Sequence, residues 1–227
     1  MNTRLVSVIV FSTLLVSCGG SESAEPAASA SVRPAAARAA SEGDVDPCAV
    51  LDEEMIRAHF DVGDAELEIK PSTNTHHPLC RAFWRKPDAD AREKAFQAKM
   101  TDYITAKAKG EDVEMPKLRT NNEVSLTLNM PPSESEEAAA AAFQSAMQTL
   151  ERGFRDKDNP EAPPKFQYDT NPVAGVEDQA SWTPGLSQLS VQSGRYLFHV
   201  TVQVGDAEEN QAKAKELATE IARRLPD

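Results

Sequence analysis

Basic side chains are scarce in this sequence. It carries 24 Lys and Arg against 36 Asp and Glu, a formal net charge of −12. Nucleic-acid binding needs a basic surface, so that class is set aside. Long hydrophobic runs are also missing. The longest, Leu5 to Val16, has about a dozen residues, short of the roughly 20 that span a bilayer as a helix. Nucleophile and cofactor signatures are absent too. There is no G-x-S-x-G, because Gly185-Leu186-Ser187-Gln188-Leu189 lacks the closing glycine, and no H-E-x-x-H, P-loop or G-x-G-x-x-G. No internal repeat is visible. What remains is 40% hydrophobic and 26% charged, which fits a soluble globular chain with some disordered sequence. A length of 227 residues allows one domain with an appended segment.

The amino terminus reads as an address. Arg4 precedes the run from Leu5 to Val16, whose length suits the apolar region of a secretory signal. The run closes in Leu15-Val16-Ser17-Cys18, followed by Gly19-Gly20. This resembles the lipobox of bacterial lipoproteins. The plainer alternative is an ordinary cleaved signal with an incidental cysteine. The resemblance implies that residues 1–17 are removed and that Cys18 carries a diacylglycerol and an acylated amino group, with chains such as palmitate. Each buried CH₂ contributes about 0.8 kcal/mol, and two or more chains hold stably where one does not. Cleavage would remove Arg4 and no acid, so the mature chain is more acidic still and is repelled by anionic headgroups. Gly19 stands where enterobacterial lipoproteins retained in the inner membrane carry aspartate. For a Gram-negative host the resemblance therefore implies the outer membrane, facing the periplasm.

Residues 18–46 follow as the lipidated cysteine and a stalk. From 19 to 46 the chain is mostly Ala, Ser, Glu, Pro and Gly, which cannot bury enough apolar surface to offset its ordering entropy. As a flexible coil its reach is about 30 Å. Residues 47–227 form a single domain. Asp52 caps a short helix, with Leu51 and Ile56 at staple spacing. Ala65–Lys70, Leu79–Trp84 and Glu123–Met130 are strands, the last placing Val124, Leu126, Leu128 and Met130 on one face. The charged segment 87–121 is an insertion whose Phe96, Met100, Tyr103 and Ile104 predict a helix over 89–108. Ser133 with Glu136 forms a capping box ahead of a stripe of Phe143, Met147, Leu150 and Phe154. Leu186–Gln192 and Arg195–Val204 form a hairpin around Ser193-Gly194. Asp206 caps a last helix that turns Leu217, Ile221 and Leu225 inward. Hairpins dominate and no βαβ series appears. The fold class is α+β, an antiparallel sheet with helices packed on one face.

Three cysteines are present. With Cys18 lipidated, Cys48 and Cys80 remain as an even pair in an oxidising compartment, which reads as a disulfide. The competing reading takes His76, His77 and Cys80, with Cys48 as a fourth ligand, as a zinc or copper site. Adjacent histidines on extended chain point to opposite faces, which opposes joint ligation. His59 reads as a half-buried helix residue, and His199 as a strand residue on the less apolar face. Glu177 and Asp178 are either an acid–base pair or a solvated turn. Asp156–Glu161 is a polar loop without the glycine of a calcium loop. Trp84 and Trp182 line a groove or fill the core.

One further resemblance rests on Asp46-Pro47-Cys48-Ala49-Val50-Leu51, on Cys80 close to Trp84, and on Gly175-Val176-Glu177-Asp178-Gln179-Ala180-Ser181-Trp182. The domain is similar to uncharacterised envelope lipoproteins, common in actinobacteria, that open with D-P-C-x-L-L. That resemblance implies lipid anchoring, a Cys48–Cys80 bridge and an α+β domain, and it carries no activity. The sequence thus points to a lipid-anchored envelope module that works without catalysis or cofactor. Its partners are the membrane, through Cys18, and an envelope protein or small ligand held on one sheet face. The alternative is a metal-dependent protein using His76, His77 and Cys80.

Overall fold

The computed structural model describes residues 45–72, 77–154, 163–164 and 166–226. Cys18, the stalk up to residue 44, His76 and the loop 156–161 lie outside them. The described residues hold one sheet and one core.

The order is α1 (Pro47–Val50), α2 (Glu53–His59), β1 (Glu68–Pro71), β2 (Leu79–Arg85), α3 (Ala89–Ala108), β3 (Asn121–Leu128), α4 (Glu136–Arg152), β4 (Asn171–Pro172), β5 (Gln179–Thr183), β6 (Gln188–Ser193), β7 (Tyr196–Gln203) and α5 (Ala207–Arg224). The seven strands form one sheet in the order β1-β2-β3-β7-β6-β5-β4, with every neighbouring pair antiparallel. Two meanders meet at the central β3–β7 pair. The fold is α+β.

Period-two alternation decides what each face carries. Cys80, Ala82 and Trp84 of β2, Val124, Leu126 and Leu128 of β3, and Phe198, Val200 and Val202 of β7 turn to one face. Leu189, Val191, Ala180 and Trp182 continue that face across β6 and β5. Leu51, Met55 and Ile56 from the α1–α2 segment, with Leu217, Ala218 and Ile221 from α5, close over it. Asp52 caps α2 by accepting from Met55 N at 2.8 Å, and Asp206 caps α5 by accepting from Glu209 N at 2.9 Å. Cys48 and Cys80 are disulfide-bonded, tying α1 to β2.

The opposite face is polar, and α4 roofs part of it. Ser181, Thr183, Ser190 and Gln192 alternate with the core residues of β5 and β6 and are nonetheless buried. Gln144 of α4 bonds Gln179 of β5 on that face. Helices thus cover both faces: α1, α2 and α5 the apolar one, α4 the polar one at its β5–β7 end. Ala139, Phe143 and Met147 are the buried stripe of α4.

Two local expectations shift. The cap of α4 is Ser135, which accepts from Ala138 N at 3.2 Å. Ser133 instead donates its backbone N–H to Arg195 O at 2.9 Å, pinning the lead-in to the β6–β7 turn. Phe154 falls beyond the helix. Gly153, at φ 75°, ends α4, and Phe154 pairs with Phe166 in an isolated bridge, 49% exposed.

Candidate functional site

Because β1 begins only at Glu68, opposite Phe83, the residues of β2 beyond Phe83 have no partner on that side. A cleft of about 850 Å³ opens there. The α2–β1 connection supplies its acidic rim, Asp61, Asp64 and Glu66, with Glu68 from the start of β1. Phe83, Trp84, Arg85 and Lys86 line the opposite wall. Gly63, at φ 55°, turns the rim loop.

The two cations of the cleft are already engaged. Arg85 donates to Asp90 at 2.6 Å and to Glu93 at 3.2 Å, both on α3, and these hydrogen bonds raise its pKa. Lys86 Nζ donates to Asn122 Oδ1 and, at 2.7 Å, to Val204 O. Burial lowers the Lys86 pKa, and the charge of Arg92 lowers it further. Glu68 is held by Lys70 at 2.7 Å. Among the described residues, Asp61, Asp64 and Glu66 form no ion pair. The free charge of the cleft is therefore negative.

Trp84 is 3% exposed and packs on Phe60, with ring centroids 5.4 Å apart. Its buried Nε1 has no hydrogen-bond partner among the described residues. Trp84 and Trp182 both belong to the core, Trp84 also forming part of the cleft wall. Phe83, on the opposite face, is half-buried between Lys70 and Arg81, which stand 5.5 and 5.6 Å from its ring. Arg81 pairs with Glu123 at 3.1 Å. Beyond the α4 roof, the second face of β1–β3 carries this exposed to half-buried set of charges around one aromatic ring.

The other residues singled out by sequence separate. Cys80 is fully buried and spends its sulfur on the disulfide, so it offers no thiolate beside His77. Among the described residues no three metal-ligating side chains converge. His199 is on the polar face, its Nδ1 2.9 Å from Ser190 Oγ. Ser190 is fully buried, so this pair is a packed polar contact out of a substrate's reach. Burial brings the His199 pKa down to about 4, and the charge of nearby His77 adds to the effect. His59 lies 3.7 Å from Glu216. Glu177 and Asp178 act as a clip. Asp178 accepts from Gly194 N at 2.8 Å and from Gln192 Nε2 at 3.2 Å, while Glu177 accepts from Ser193 Oγ at 3.2 Å. They hold the β6–β7 turn.

The cleft is not legible in the sequence. Its acids are spread over Asp61–Glu68 without motif spacing, and only the late start of β1 brings them opposite Phe83. No protein-family model, curated protein or solved structure matches the chain.

Proposed function

We propose that the chain is a lipid-anchored envelope protein that acts as a non-enzymatic binding module. Export and anchoring are supported by the Leu15-Val16-Ser17-Cys18 ending of the leader and by the disulfide, a bond of oxidising compartments. The observation that carries the binding role is the cleft: about 850 Å³, rimmed by Asp61, Asp64 and Glu66 and walled by Phe83 and Trp84. Carboxylates without internal partners near the half-buried ring of Phe83 suit a ligand that joins a cationic group to an apolar one, such as a lysine-bearing segment of another envelope protein. The proposed site is a corner of the sheet rather than a whole face.

Trp84 serves as the probe. In a Trp182→Phe background its emission reports on the cleft wall. Titration with a lysine–phenylalanine peptide should give a saturable change, and Asp64→Lys with Glu66→Lys should remove it. An unchanged titration in that variant would place binding elsewhere.

A further inference from the structure

The insertion between β2 and β3 is an arm. Its base is closed by the β2–β3 pairing of Arg85 with Asn121 and by Lys86 N donating to Thr120 O at 2.8 Å. From that base α3 runs for 20 residues, about 30 Å at 1.5 Å per residue. Its first residue, Ala89, is the only buried one. A helix stabilised by packing hides an apolar stripe. Here Phe96, Met100 and Tyr103 are only half-buried, and Ile104, Met115 and Leu118 are 61%, 60% and 41% exposed.

The arm is nearly balanced in charge where the chain as a whole is strongly acidic. Residues 86–120 hold eight of the 24 Lys and Arg and seven of the 36 Asp and Glu. Between α3 and the returning segment lies a groove of about 380 Å³ lined by Arg92, Phe96, Lys99, Lys117, Leu118 and Arg119, with no carboxylate in its wall. Arg92 is paired with Asp88 at 2.8 Å, whereas Lys99, Lys117 and Arg119 form no ion pair among the described residues. Gathering like charges is unfavourable. The chain has acids to spare and places none in this groove.

We infer that the α3 groove docks an acidic segment of a partner polypeptide, whose carboxylates meet Lys99, Lys117 and Arg119 and whose apolar side chains cover Phe96 and Leu118. A bare oxyanion would use the cations alone and leave the apolar residues exposed. This surface is separate from the carboxylate cleft, and the inference stands whether or not the chain is lipid-anchored.

The test uses the full chain, with a labelled random glutamate–tyrosine copolymer as probe and anisotropy as readout. Polyglutamate, inorganic polyphosphate and phosphatidylglycerol–phosphatidylethanolamine vesicles run alongside. The copolymer should bind more tightly than polyglutamate. Lys99→Glu, Lys117→Glu and Arg119→Glu together should weaken it about tenfold or more, as loss of three exposed charge pairs implies. Lys213→Glu with Lys215→Glu, on α5, should leave binding unchanged. If the triple reversal unfolds the arm, Lys99→Gln with Lys117→Gln should still weaken binding severalfold. Copolymer binding that ignores these changes, absence of binding, or tighter binding to polyphosphate or vesicles would overturn the inference.

Discussion

At the residue scale, single polar side chains hold both local turns and segments distant in sequence. Asn210 is 5% exposed; its Oδ1 accepts from Val204 N and Gly205 N, both at 3.0 Å, and its Nδ2 donates to Gly205 O. Asn210→Ala strands these backbone groups. It should cost about 1–3 kcal/mol, read as a lower denaturation midpoint with unchanged m-value. Asp52 caps α2 and also accepts from Arg224 Nη1 at 2.8 Å, so Asp52→Ala removes a cap and an ion pair at once. The expected loss is about 1–2 kcal/mol. His199 makes a pH prediction. Its folded pKa, about 4, lies below the ordinary histidine value of 6.5, so the unfolded chain binds the extra proton first as pH falls. Its contribution is fully present above about pH 6.5 and is lost progressively down to about pH 4. His199→Gln should flatten the stability profile across that window in pH-resolved urea unfolding.

At the element scale, the arm and the α4 roof behave differently. Because β2 and β3 pair directly, residues 87–120 are not needed to connect the core. Replacing them with an Asn-Gly turn should leave the melting temperature within a few degrees. A loss as large as a core truncation would show that α3 supports the domain. The end of α4 is more demanding. A Cβ at Gly153 would lie 2.6 Å from Phe166 O and 2.6 Å from Pro164 Cβ, at a φ of 75°. Gly153→Ala should therefore destabilise by more than about 1 kcal/mol, read by chemical denaturation.

Most of these elements are legible in the sequence because their periods are strong. Val124, Leu126 and Leu128 lie on one face and are buried, α3 spans the residues its spacing assigns, and Asp52 and Asp206 cap as expected. Alternation could not reveal that α4 covers the polar face, because Ser181, Ser190 and Gln192 read as solvent-facing until a roof is placed over them. Ser133 and Ser135 both offer a capping hydroxyl, and the choice depends on a backbone bond to Arg195 across the fold. The cleft depends on where β1 begins, and strand ends are poorly marked in sequence.

At the scale of the whole molecule, one covalent tie and one charge division organise the domain. The Cys48–Cys80 bridge, 32 residues apart in sequence, joins the α1 entry to β2. Its removal by Cys48→Ser with Cys80→Ser should cost about 3–4 kcal/mol by the chain-entropy model. The charge division gives the molecule two unlike surfaces, a carboxylate cleft at the β1 edge and a cationic groove on the arm, both rooted at the same end of β2. That end is opposite the end carrying Cys80, where the chain enters from α1.

The proposal of an exported, lipid-anchored, disulfide-tied module is tested by the intact mass of the full chain recovered from a bacterial membrane fraction. Such a module begins at Cys18, carries diacylglycerol and an amide-linked acyl chain, and is two hydrogens lighter than its reduced form. A soluble chain that retains residues 1–17, bears no lipid and has free thiols at Cys48 and Cys80 would contradict it.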